Sequence, residues 1–270
     1  MDFEDVQISR RRRALLWIIS IFLLFGAVAL LLAVSSFLLA MRENARRERC
    51  EFNLAKLYEA TVEYYNANAT FPPAFTTDEN GQKLHSWRVL LLPYLGEEKL
   101  FSQIKLDEPW DSDWNRQFWT KTPNVFRCAS TPISNYEDDE TRAKRCAYSC
   151  IIGSNTAFPE SGDAVDPDLI VDGLANTIMY VERKNPSNWM DPNSDLSVDQ
   201  ALEENQKPVK ERKDFGSWHG RGEYVVMCDG GRRFLSENID YSVLNLFFGI
   251  NDSEKIETPD LPEDEPNDAE

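Results

Sequence analysis

The sequence predicts an α+β protein in which a long N-terminal helix crosses a membrane and then continues into a water-facing domain built on an antiparallel sheet. Three observations carry this. Residues 14–41 are 28 residues without a charge, bracketed by Arg10–Arg13 and Arg42. Apolar residues recur at helical spacing immediately afterwards, and the second half of the chain holds short alternating segments, two of them flanking Asp229-Gly230-Gly231.

The apolar run comes first. Hydrocarbon about 30 Å thick needs roughly 20 apolar residues at helical rise, so this run spans it with residues to spare. A cleavable signal has an apolar region of only about 7–15 residues, so a retained anchor is expected. Basic residues nearly balance across it: Arg10–Arg13 stand before, and Arg42, Arg46, Arg47 and Arg49 after. The first cluster is unbroken and abuts the helix. Translocating four contiguous arginines is the costlier choice, so residues 1–13 are expected to form a basic cytoplasmic tail, with the domain outside the cell membrane.

Cys50, Leu54, Leu57, Tyr58, Thr61, Val62 and Tyr65 keep the helical period and predict a one-sided helix reaching about Asn66. Phe71-Pro72-Pro73 and Asn80-Gly81 then reverse the chain. Two short helices, around 87–95 and 97–104, are separated by Pro93 or Gly96, with Leu90, Leu91, Leu92, Leu95, Leu100, Phe101 and Ile104 as core. Trp110, Trp114 and Trp119 follow, and core packing is the more economical use of three large rings. Strands are expected over 147–152 and 177–182, and as a hairpin of 224–228 with 232–235. Residues 185–213, polar and weakly periodic, predict a long surface loop. Residues 252–270, acidic and proline-bearing, predict a disordered tail. Residues 42–251 form one domain by length.

Net charge of −17 and a pI near 4.6 exclude nucleic acid as an expected partner, since phosphate binding needs clustered Lys and Arg. Five cysteines, Cys50, Cys128, Cys146, Cys150 and Cys228, are compatible with one or two disulfides in an oxidising compartment, the pairing left open.

Chemistry-bearing motifs are absent at the level of local spacing. Cys146 and Cys150 lack a second ligand pair, and Cys128 and Cys228 are isolated, so no metal site is expected. Gly216-Ser217-Trp218-His219-Gly220 has tryptophan where a nucleophile elbow needs serine. Asp191–Asp195 opens like a calcium loop, but Leu196 and Leu202 occupy its glycine and glutamate positions. No phosphate-cradling glycine loop or dinucleotide fingerprint occurs, so catalytic, cofactor-binding and metal residues are all expected to be none. A hydrolase built on His219 and Asp229 lacks an activated nucleophile.

Several blocks together resemble a known family. They are Arg42-Glu43-Asn44-Ala45-Arg46-Arg47 with Cys50 and Asn53-Leu54, Phe71-Pro72-Pro73-Ala74, and residues 85–95 (HSWRVLLLPYL). Further on come Asp107–Ser112, Val125-Phe126-Arg127-Cys128, Asp172-Gly173 with Asn176-Thr177-Ile178, and His219-Gly220 followed by Asp229-Gly230 and Arg233–Ser236. In this the chain is similar, over most of residues 42–240, to planctomycete envelope proteins of the domain of unknown function 1559 family. The resemblance implies a pilin- or pseudopilin-like scaffold, a long helix laid against an antiparallel sheet, and no established enzymatic activity. Family members usually carry Gly-Phe-Thr-Leu-Ile-Glu where the apolar run begins. Here Arg13 is followed by Ala14-Leu15-Leu16-Trp17-Ile18, without the cleaved glycine or the glutamate that would neutralise a neighbour's amine in the bilayer.

The resulting expectation is a non-enzymatic, single-pass, pilin-like envelope protein. Its partners are the lipid bilayer through residues 14–41 and other envelope proteins or further copies of itself. The alternative is an anchored module binding a small molecule or glycan through Trp87, Trp110, Trp114, Trp119, Trp189 and Trp218.

Overall fold

The computed structural model describes residues 3–132, 143–208, 211–219 and 221–252, with side chains in the first helix from Leu16 onward. The expected acidic tail thus lies outside the described residues, apart from Asp252. The chain divides into two compact units, Met1–Arg46 and Arg47–Glu270. Helix α1 (Phe3–Asn68) is continuous in secondary structure across that division.

In the first unit α1 carries an 18-residue window with mean hydropathy 2.8 and nothing packed on it, so it is long and apolar enough to cross a membrane. Trp17, Phe22, Phe25 and Leu31 are each about 70% exposed, on all sides of the helix. A surface of that kind in water would be an exceptional apolar patch.

In the second unit the same helix becomes one-sided. Cys50, Leu54, Leu57 and Thr61, spaced four, three and four apart, are wholly buried, whereas Glu51, Lys56 and Glu59 face outward. The helix ends at Asn68, with Ala69 in the left-handed region at φ 60°, two residues beyond the expected end. Strands β1 (Phe75–Thr77) and β2 (Lys83–Ser86) flank the Asn80-Gly81 turn, where the sequence suggested only a reversal. Ser86 caps α2 (Trp87–Leu90); a 3-10 turn at Leu92–Leu95 and Gly96 at φ 76° break the chain as expected before α3 (Glu98–Phe101).

The main sheet has the order β3-β5-β7-β8, antiparallel throughout, from β3 (Arg145–Ser149), β5 (Ile178–Asn188), β7 (Gly222–Met227) and β8 (Arg232–Ser236). The short strands β4 (Ile151–Ile152) and β6 (Leu196–Ser197) pair in parallel beside it, and β6 leads into α4 (Val198–Gln206). Helix α5 (Tyr241–Leu246) follows the β7–β8 hairpin.

Side-chain alternation divides two cores across this sheet. Tyr148, Tyr180, Val226 and Cys228 pack with Leu54, Leu57, Trp87 and Phe126 on the α1 side. Ile178, Val181, Val225 and Met227 pack with Leu202, Leu244, Phe247 and Phe248 on the α4/α5 side. The order of layers is therefore helix, sheet, helices, an α+β arrangement.

The expected surface loop over 185–213 is a correction. Its first residues extend β5 to Asn188, Trp189 and Met190 are fully buried, and Val198–Gln206 is a helix. Asp195, read as part of a poor calcium loop, turns inward instead. Its carboxylate takes a bidentate grip from Arg88 (2.7 and 3.0 Å) and accepts further bonds from Trp87 Nε1, Ser149 Oγ and the Cys150 amide. Both side chains are fully buried and every polar arm is answered, which is the condition under which a buried ion pair is tolerated.

Candidate metal centre

Cys50 opens the buried stripe of α1 and faces the sheet. Three further groups meet it there. Asn53, one position on from Cys50's own turn, donates to the Arg127 carbonyl at 2.9 Å and to the Tyr148 hydroxyl at 3.2 Å. That bond and the buried Phe126 ring hold the segment that delivers Cys128, whose sulfur lies 2.8 Å from the Cys50 sulfur.

Glu182 is set by strand period: two residues beyond Tyr180 on β5, it points to the α1 side. Its Oε2 accepts the Tyr224 amide at 2.9 Å, fixing the carboxylate. His219 comes from the loop before β7, which has left-handed backbone at Gly216 (φ 117°) and Arg221 (φ 67°). The Ser217 hydroxyl accepts the His219 amide and donates to the Gly222 carbonyl, while the Arg47 guanidinium donates to the His219 carbonyl. Ser217 is thus a loop-fixing group.

His219 Nε2 then lies 3.2 Å from Glu182 Oε1 and 3.5 Å from the Cys128 sulfur. One ligand atom from each of Cys50, Cys128, Glu182 and His219 falls within 4.8 Å of all the others. Cys50, Glu182 and His219 are 0%, 1% and 3% exposed; Cys128 is half-buried. The bond to Cys128, with burial behind it, pushes the Cys50 thiol far above its usual range, and His219 opposes the shift. Glu182 Oε1, sealed from solvent, makes no hydrogen bond and has the His219 ring nitrogen as its ion-pair neighbour. Among the described residues this is the one group of three or more such side chains whose ligand atoms converge.

The remaining cysteines do not join it. Cys146, Cys150 and Cys228 are buried and their thiols are pushed up by burial, so they act as small core residues. None of the five cysteines is joined in a disulfide in this structure. Asp229 is committed to its turn, accepting the Gly231 amide at 2.7 Å, as its position before glycine suggested.

The profile of a family described as "Protein of unknown function (DUF1559)" matches residues 39–201, more than half of the 270. The chain belongs to this family. The matched region carries Cys50, Cys128 and Glu182 of the cluster, and His219 lies beyond it. No curated protein and no solved structure matches the chain. Family membership therefore brings no assigned activity, and the chemistry of the site has to come from its own residues.

The tryptophans proposed as a ligand platform are spent internally. Trp110 and Trp119 stack on each other at 5.0 Å, and Trp119 and Trp189 donate their indole N–H groups to the carbonyls of Trp110 and Trp119. Trp87 and Trp189 are wholly buried. The half-exposed Trp114 and Trp218 donate to the carbonyls of Gln103 and Lys184 and each lies under a lysine ammonium.

Proposed function

We propose that this chain is a single-pass, membrane-anchored envelope protein with a pilin-like scaffold that works through protein contacts and not through turnover. Its N-terminus faces the cytoplasm and its folded domain lies outside. The carrying observation is the apolar stretch of α1 from Leu16 to Met41, exposed all round and free of charge, in a chain that from Cys50 to Thr61 buries one helical face in a folded domain. Lipid is the cover that such a surface needs.

Three things support the non-enzymatic part. The histidine and buried carboxylate of the cluster are sealed from substrate. Ser217 and Asp229 serve local structure. Trp110 and Trp119 stack on each other, and Trp87 and Trp189 are buried. Self-association or contact with other envelope proteins is then the remaining mode of action, and the pilin-like resemblance favours it.

Alkaline extraction of native membranes tests the anchor: the chain is expected to stay in the pellet and to leave it only with detergent. Release by alkali alone would overturn the anchor. Hydrolysis of ester, amide or phosphate-ester substrates by the detergent-purified chain, above that of a His219→Ala variant, would overturn the non-enzymatic reading.

A further inference from the structure

We propose that Cys50, Cys128, Glu182 and His219 bind one divalent zinc-class cation in a closed, four-ligand structural site. The sequence gives no hint of it, since the ligands stand far apart in the chain and none belongs to a zinc-spaced pair.

The donor set is two sulfurs, one imidazole nitrogen and one carboxylate oxygen, which suits a borderline-soft ion with no geometric demand of its own. A tetrahedron with metal–ligand bonds of about 2.0–2.3 Å has edges of about 3.3–3.8 Å. The His219–Glu182 and His219–Cys128 separations, 3.2 and 3.5 Å, already sit near that range. The two sulfurs are closer, at 2.8 Å, and must part by about 1 Å to admit the ion.

A second observation bears on the occupant. Glu182 is 1% exposed, and its Oε1, aimed into the cluster, makes no hydrogen bond; it faces His219 Nε2 at 3.2 Å. A buried carboxylate oxygen held by that contact alone is costly. A disulfide between Cys50 and Cys128 adds nothing to the contact, whereas a cation between the four groups replaces it with a metal–oxygen bond. Glu182 Oε2 on the Tyr224 amide supplies the outer bond that orients a ligating carboxylate.

On binding, the Cys50 and Cys128 thiols lose their protons to solvent, and four metal–ligand bonds form with no change of oxidation state. No position is left open for substrate, so the site is structural: it ties α1, the Cys128 segment, β5 and the loop before β7 at one point. Cys128, the one half-buried ligand, borders a cavity of about 290 Å³ that also touches Arg49, Arg127 and Arg145.

The test uses the full chain purified in detergent under reducing conditions, stripped by a chelator and titrated with Co²⁺. The expected result is saturation at one equivalent, with tetrahedral ligand-field bands and a thiolate-to-cobalt charge-transfer band, both abolished by excess Zn²⁺. Cys50→Ser with Cys128→Ser should remove the charge-transfer band. Because that pair of changes sits in the core, Glu182→Gln provides the second reading: it keeps the shape and both sulfurs, so the band persists while affinity falls by about tenfold or more. Folded, reduced protein that gives no charge-transfer band overturns the proposal. So does a Cys50–Cys128 disulfide-linked peptide in metal-free protein taken directly from native membranes, or Glu182→Gln with unchanged affinity.

Discussion

Glu223 is the residue whose environment makes the sharpest measurable demand. It lies on β7, fully enclosed, and burial pushes its carboxyl up to about 8, with Arg212 opposing and Glu182 and Glu237 adding to the rise. Its Oε1 has no hydrogen-bond partner. The folded state therefore holds a proton that the unfolded chain releases near the ordinary value of 4.5. Between those two values the native state binds more protons, so stability falls as pH rises, by at most about 1.4 kcal/mol per pH unit. Glu223→Gln should remove this slope, so the variant gains on the wild type between pH 6 and pH 8 when urea midpoints are compared. Parallel pH profiles for the two proteins would show that Glu223 is ionised in the fold. Neither this residue nor the candidate metal cluster was legible in the sequence. The separations from Cys50 to Cys128 and on to Glu182 and His219 are long, and only strand register and one loop bring the four together. Burial of an acid is likewise a tertiary property: Glu182 and Glu223 read as ordinary polar strand residues until the α1 spine and Arg212 are placed.

At the scale of elements, what could be read was whatever repeats locally. The 28-residue charge-free run, the four-three-four stripe of α1 and the Asp-Gly turn between β7 and β8 each state their structure within a few residues. Residues 185–213 show where this runs out. Past Arg183, β5 pairs only with β3, so Pro186 gives up an amide that has no partner strand to meet, and a proline that argues against a central strand is harmless there. Helix α4 follows with few apolar residues, and its clearest local signal is its start. Ser197 accepts the Gln200 amide at 3.1 Å while Gln200 Oε1 accepts the Ser197 amide at 3.0 Å, a reciprocal box. With only nine residues, α4 leans on that cap and on Ala201 and Leu202 in the second core. Ser197→Ala should cost about 0.5–2 kcal/mol in chemical denaturation, and Ser197→Thr should recover most of it. An unchanged midpoint for the alanine variant would mean that packing alone fixes the helix.

For the whole molecule, the two units ask for different solvents. The second buries its charge in satisfied pairs such as Arg88–Asp195 and presents an acidic exterior, while the first presents leucine, phenylalanine and isoleucine in every direction. Insertion of such a helix is favoured by a few tenths of a kcal/mol for each Leu, Ile or Phe at its centre, and an arginine there costs about 2.5–3.5 kcal/mol. Leu24→Arg with Leu31→Arg therefore costs about 6–8 kcal/mol in insertion without touching the folded domain. The double variant should shift from the membrane pellet to the alkali-soluble fraction, while its far-ultraviolet spectrum and urea midpoint in detergent stay those of the wild type. Orientation is read in the same cells with an epitope tag placed after Glu270. Antibody reaching the tag on intact cells fits the unbroken Arg10–Arg13 cluster as the retained end, since basic residues beside a span resist translocation. A tag reached only after lysis would put Arg42, Arg46, Arg47 and Arg49 in command of the topology and turn the domain inward. A double variant that stays in the pellet would show that the domain itself, and not α1, holds the chain at the membrane.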